Sequence, residues 1–205
     1  MCVAAVAGSG CQVTGSVSVP LSACSAVTVA GRPGVEPSWL RTSTGLTATS
    51  ALPCWSLENS VVLAGTREGV ARAGETAIAN GARRVIPVKV DGPFHTPLMA
   101  PAAEALADTL EATAFMPPVA PVVSNADARP YVDSVAWAPR LAWHLVRPVL
   151  WRQSLETLAG LGVNRFVEVG PGGVLTGLAR RTAPDATVET VAGPEDVAHL
   201  AGAAA

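Results

Sequence analysis

A chain of 205 residues that is 49% apolar and only 15% charged is long enough to bury its own core and too apolar to be disordered throughout. A net charge of −2 supplies no basic field for nucleic acid, and the absence of an apolar run of about 18 residues predicts no membrane span. The four cysteines, Cys2, Cys11, Cys24 and Cys54, have neither zinc nor redox spacing, and MCVAAVAGSGC has no basic stretch of a secretory signal, so a metal-free, cytoplasmic protein is expected.

Residues 1–57 contain only three charged side chains, Arg32, Glu36 and Arg41, and follow neither a strand nor a helix period. SVSVPL and AVTVAG are strand-like, but nothing in the pattern caps or pairs them. The expectation is a poorly packed extension, or a segment that is not the natural amino-terminal sequence of the domain after it. From Glu58 the signals become regular. SVVLAG reads as a strand, Thr66 caps a helix whose first turn holds Arg67, Glu68 and Gly69, and Asn80-Gly81 stops it. RRVIPVKV reads as a second strand. Pro97 and Pro101 mark a helix start, with Ala103, Leu106 and Leu110 on one face.

PVAPVVSN is strand-like, and the chain turns at Asp127-Ala128-Arg129-Pro130. A helical region runs from about Ser134 to His144, and Pro148 can begin another, in which Trp151, Leu155 and Leu158 share a face and Gly160 and Gly162 end the run. NRFVEVG is a strand leading through Pro171-Gly172-Gly173 into the helix VLTGLARR. Strands alternating with helices predict an α/β fold with a largely parallel sheet, whose sites gather at the carboxyl ends of strands.

His95 lies behind such a strand, in GPFHTPLM. An imidazole takes and returns a proton near neutral pH, so a base is one reading and a helix-start histidine bonded to a backbone group is the other. His144 sits in the apolar AWHLVRPVLW and reads as a packed or edge histidine, and His199 as exposed. The three have no metal-ligand spacing, so no metal is expected. Asp91 either orients a neighbour or serves the Asp-Gly turn. EVGPGGVLTGL poses the question of a phosphate cradle, but without GK[ST] it reads as a tight strand-to-helix turn. Glu104, Glu111, Glu156 and Glu168 show no pairing and are assigned mostly to solvated helix faces.

SVVLAG, VDGPFHTPLMAPAAEAL, PVVSNADARPY and RFVEVGPGGVLTGLARR, in this order, resemble the carboxy-terminal part of malonyl-CoA:acyl-carrier-protein transacylases, relatives of the acyltransferase domains of fatty-acid and polyketide synthases. The resemblance covers about residues 58–190. It implies a partial α/β-hydrolase-like acyltransferase core with part of a small ferredoxin-like subdomain. On that reading, residues 58–92 belong to the small subdomain, 93–192 to the carboxy-terminal part of the large one, 193–205 form a tail, and 1–57 stay unassigned.

The resemblance also implies roles. His95 falls where the family has its catalytic general base, and the main-chain carbonyl of His144 falls where the family orients that histidine, commonly from a glutamine. Phe94 falls at a position linked to acyl-group selection. The implied reaction moves a malonyl group from malonyl-CoA to the phosphopantetheine thiol of an acyl carrier protein. No bound cofactor, nucleic acid or membrane is implied.

One departure is severe. The family's serine sits in a GHSxG elbow, and no GxSxG occurs in these 205 residues. The arginine that pairs with the malonyl carboxylate and the upstream oxyanion donor are missing too. The chain is therefore expected to be truncated and nearly inactive alone. The alternatives are a non-catalytic remnant, or carrier-protein-binding module, and a product whose first 57 residues are an out-of-frame reading.

Overall fold

The computed structural model describes residues 24–30, 51–57, 60–90, 92–135 and 137–197. SVSVPL, Asp91 and His199 lie outside the described residues, as do Cys2 and Cys11. The fold is α/β in composition, built from three separate sheets.

The first sheet has four strands, β1 (Cys24–Ala30), β2 (Ala51–Leu57), β3 (Ser60–Thr66) and β4 (Arg84–Val88), in the order β2-β3-β1-β4. Every neighbouring pair is antiparallel. Two sequence expectations are corrected by this arrangement. The sheet is not parallel, and AVTVAG does have partners, because β1 pairs with β3 on one side and β4 on the other. Those partners lie thirty or more residues downstream, beyond the reach of any local pattern.

Helix α1 (Arg67–Ala79) begins as the sequence predicts: the Thr66 hydroxyl accepts from the Gly69 amide at 3.1 Å. Asn80 ends it, and Gly81 follows at φ +94, a conformation that glycine adopts without strain. The buried face of α1, Val70, Ala73 and Ala77, packs on Val61 and Leu63 of β3, with Ala82 and Val85 at the margin. Alternation along β3 sends Ala64 to the other face, against Val62 and Val88.

A 3-10 turn (Pro97–Met99) leads into α2 (Ala100–Glu111), in which no residue is fully buried. Its predicted stripe of Ala103, Leu106 and Leu110 is half-covered. Strands β5 (Val122–Ser124) and β6 (Arg129–Tyr131) form an antiparallel hairpin. Pro130, expected in a turn, is a strand residue; the turn lies just ahead, with Ala128 at φ +56.

Helix α3 (Trp137–His144) is tied to this hairpin by Arg140, which stacks 3.4 Å over the Tyr131 ring and reaches Asp127 at 2.8 Å. Burial raises the Asp127 carboxyl, but the Tyr131 hydroxyl, the Arg129 amide, the Arg140 charge and Ser124 together hold it below its ordinary value.

Helix α4 (Trp151–Gly160) starts three residues after Pro148. Strand β7 (Arg165–Val169), helix α5 (Val174–Thr182) and strand β8 (Thr187–Val191) form a βαβ unit, the only parallel pairing among the described residues. Here Val149, Trp151, Leu155, Phe166, Leu178 and Ala179 make a second core. No helix among the described residues is long and apolar enough to cross a membrane.

Candidate active site

The stretch after Gly92 is held by its own backbone. Gly92, Pro93 and Thr96 are buried, and the Thr96 hydroxyl donates to the Pro93 carbonyl at 2.6 Å. This closes a tight bend whose apex is Phe94-His95. His95 sits at φ +61, a left-handed conformation that costs a residue with a Cβ roughly 1–2 kcal/mol. Its amide offsets part of that strain by donating to the Leu145 carbonyl at 3.0 Å.

The second anchor is the end of α3. The last carbonyls of a helix have no partner within it and carry the negative end of its dipole. The His144 carbonyl is one of these, and His95 Nδ1 lies 3.0 Å from it. A carbonyl only accepts, so Nδ1 carries the proton and Nε2 is left with its lone pair. Nε2 has no hydrogen-bond partner among the described residues. The arrangement holds the imidazole by one ring nitrogen and leaves the other open. The structure thus brings together two residues 49 positions apart that the sequence singled out.

The His144 ring adds a feature that the sequence reading missed. It lies 4.9 Å from the His95 ring, centroid to centroid, and its Nε2 is buried without a partner. Burial, and then the neighbouring His95, push its pKa down to about 4, so this ring is neutral at pH 7. Phe94 is 42% exposed beside His95. Thr96 was also missed: a threonine between His95 and Pro97 carries no signal until its 1% exposure is known.

Glu168 is corrected outright. It is a strand residue of β7, not on a helix face, and its carboxylate accepts from the Leu175 and Thr176 amides at 3.2 and 2.7 Å. It therefore caps α5. Burial raises its carboxyl, while the Thr176 side chain and these amides outweigh that and lower it. Two amides that would face an anion behind Gly170–Gly173 are thereby taken, so this loop is a turn and not a phosphate cradle. Glu156 is also paired, with Arg152 at 3.5 Å. No group of three or more His, Cys, Asp or Glu suited to a metal occurs among the described residues.

Comparison with known proteins gives this geometry a context. The malonyl CoA-acyl carrier protein transacylase of Salmonella typhimurium is 42% identical over 134 residues, which is 65% of this chain and 43% of that protein. The chain is similar to part of a malonyl CoA-acyl carrier protein transacylase. The Bacillus subtilis transacylase is 39% identical over 137 residues, 67% of this chain and 43% of its own length. The chain thus spans less than half the length of these curated relatives.

Among solved structures, an acyl carrier protein S-malonyltransferase from Vibrio cholerae superposes with a TM-score of 0.81 at 30% identity, covering 90% of this chain and 60% of that one. A malonyl-transacylase solved in complex with a type II polyketide synthase acyl-carrier protein gives 0.76 at 33% identity, covering 85% and 56%. No family model matches the chain.

Proposed function

We propose that this chain is the base-bearing part of a malonyl-CoA:acyl-carrier-protein transacylase. The observation that carries the reading is the His95 Nδ1 to His144 carbonyl bond, which leaves Nε2 free to act on a nucleophile. The serine is not supplied by a GxSxG in this sequence, so the covalent step needs a hydroxyl from outside it.

With such a serine in place, its proton moves to His95 Nε2 as its oxygen attacks the malonyl thioester carbon. The carbon–sulfur bond then breaks, and the departing CoA sulfur takes the proton back from His95. The phosphopantetheine thiol of an acyl carrier protein reverses the sequence: it gives its proton to His95, receives the malonyl group and frees the serine. The helix-end carbonyl stabilises the imidazolium formed in each half. Phe94, exposed beside the base, is placed to contact the acyl group. The substrates are the two thioester carriers, and the chemistry calls on no further cofactor.

The same reading extends to the architecture. The strand order β2-β3-β1-β4, all antiparallel, with α1 between β3 and β4, supports a ferredoxin-like small subdomain. That subdomain then takes in β1 and β2 as well as residues 58–92, and the part after Gly92 belongs to a hydrolase-like larger unit. The lack of GxSxG favours one second reading, a carrier-protein-binding remnant without turnover.

A chimera separates the two. The stretch of the Salmonella typhimurium enzyme matched by this chain is replaced with the chain's own residues, and malonyl transfer to carrier protein is measured. Transfer is expected, with a loss of about 10³-fold or more in His95→Ala and little change in His144→Gln, which keeps the carbonyl. A folded chimera that is inactive, or indifferent to His95→Ala, sinks the proposal.

A further inference from the structure

Helix α3 carries or adjoins both carbonyls that hold the candidate base. His95 Nδ1 bonds to the His144 oxygen and the His95 amide to that of Leu145, each at 3.0 Å. Whatever fixes α3 therefore fixes the imidazole. The helix has only eight residues, of which Ala142 alone is buried, while Leu141 and Trp143 are exposed. It packs against α2, which contributes no fully buried residue either. A helix this short is not stable by itself and takes its place from what it touches. Apolar packing supplies little of that here.

A polar tie does more. Arg140 lies one turn before His144, on the same face of α3. Its side chain is only 14% exposed; the guanidinium meets Asp127 Oδ2 at 2.8 Å and stacks 3.4 Å over the Tyr131 ring. The same oxygen accepts from the Tyr131 hydroxyl at 2.6 Å, and the Arg129 amide donates to Oδ1 at 3.3 Å. The carboxylate is thus held from its own side of the pair and cannot follow a loose arginine.

The hairpin behind Asp127 is anchored in turn. The Thr157 hydroxyl donates to the Ala128 carbonyl and the Leu150 amide to the Asn125 carbonyl, both at 2.8 Å. Thr157 stands on α4, whose Trp151 and Leu155 belong to the second core. An unbroken run of directed contacts leads from that core through Asp127 and Arg140 to the His144 carbonyl.

We propose that Arg140, clamped by Asp127 and Tyr131, is a positioning residue for His95: it sets the angle at which α3 offers its last carbonyls, and so keeps Nδ1 protonated and Nε2 free. Arg140 acts through the helix and touches no reacting atom. A pair of charges drawn out of water adds little net stability, and its use here is to select one geometry. A planar guanidinium that is both stacked and hydrogen-bonded has one orientation, where an ammonium on a flexible stem has many. The buried Nε of Arg140, left without a partner, fits a group kept for its placement. The consequence for turnover rests on the acyl-transfer reading above; the consequence for the ring does not.

The test compares Arg140→Met with Leu63→Ala, which weakens the core around α1 instead. Nitrogen-15 NMR reads the neutral tautomer of His95, hydrogen exchange reads its amide, and thermal melting reads stability. Arg140→Met is expected to turn the Nδ1–H form into a mixture of both tautomers and to speed exchange of the His95 amide at least about 10-fold. Leu63→Ala is expected to lower the melting temperature and leave the tautomer unchanged. Arg140→Lys, which keeps the charge without the fork or the stack, is expected to give an intermediate mixture. Should Arg140→Met unfold, Tyr131→Phe removes one bond to Asp127, keeps the ring under the guanidinium, and is expected to shift the tautomer in the same direction to a smaller degree.

A His95 that stays wholly in the Nδ1–H form in Arg140→Met, or in Tyr131→Phe where that variant stands in, overturns the proposal. So does an equal change in Leu63→Ala, since loss of stability alone would then account for it. In the chimera described above, Arg140→Met is expected to lower kcat about 10-fold or more with KM within about twofold, because a misplaced base costs rate and not binding. A shifted tautomer with unchanged transfer upholds the clamp and overturns His95 as the base of acyl transfer instead.

Discussion

Around β3 and α1, the core is shut: Val61, Val70, Ala73 and Ala77 are each at most 4% exposed, and Ala64 is covered on the opposite face. Around α4, β7 and α5, residues equally well buried, Trp151 and Leu155, stand beside a cavity, and the buried Nε1 of Trp151 and Nε2 of His144 have no partners. Among the described residues, the antiparallel sheet with its helix leaves no buried side-chain polar atom without a partner, although Val70 and Val85 also line a shallow pocket along α1. The region beside His95 leaves several, Trp151 Nε1 and His144 Nε2 among them. Under the proposed function, the more loosely satisfied region is the one that carries the base.

The first way to break this comparison is to remove matched apolar groups from the two cores. Leu155→Ala is expected to cost about 2–3 kcal/mol in urea unfolding, the low end for such a deletion, because the side chain already borders open space. Leu63→Ala, in the shut core, is expected near the high end, at about 4 kcal/mol. Equal losses would mean that both cores are equally closed.

The next effect is a pH dependence confined to the open region. The His144 imidazole titrates at 6.5 when unfolded and at about 4 when folded. Above pH 6.5 neither form holds the proton. Below it the unfolded chain takes the proton first, so stability falls as pH drops from 6.5 toward 4 and then levels off. The loss is ~2 kcal/mol once partial exposure is allowed for. His144→Gln should flatten this limb of a thermal-melting profile; an unchanged slope would show that the ring is not the cause.

The smallest effect sharpens the comparison most. Trp151→Phe removes the unpaired indole N–H together with some packed area, so the two terms nearly cancel, within about 0.5 kcal/mol. A loss of several kcal/mol in equilibrium unfolding would mean that the indole N–H is satisfied and the region complete.

Local signals in the sequence placed most of the elements. The Thr66 cap, the Asn80-Gly81 stop, the Trp151–Leu155–Leu158 face and the strand before Gly170 all follow from residues within a few positions of one another. What stayed hidden was set by distance or burial. β1 and β2 are strands because of partners far along the chain, and β8 because β7 lies beside it. Glu168 looked like an unpaired acid because its partners are backbone amides, which no sequence pattern displays.

At the site, His95 and the His144 carbonyl were legible through resemblance, since a main-chain acceptor leaves no mark on the residue that bears it. The neutral, unpartnered His144 ring was not, because its state comes from burial.

The central claim is that His95 is held as a base with Nδ1 protonated and Nε2 free. Nitrogen-15 NMR of the imidazole rings at a pH where they are neutral reads this directly. The account predicts the Nδ1–H form for His95, with its proton coupled across the hydrogen bond to the His144 carbonyl. Protonation at Nε2 instead would contradict it, since Nδ1 would then have no proton to give the helix-end carbonyl, which would keep only the Arg147 amide at 3.3 Å, and the base would face the wrong way.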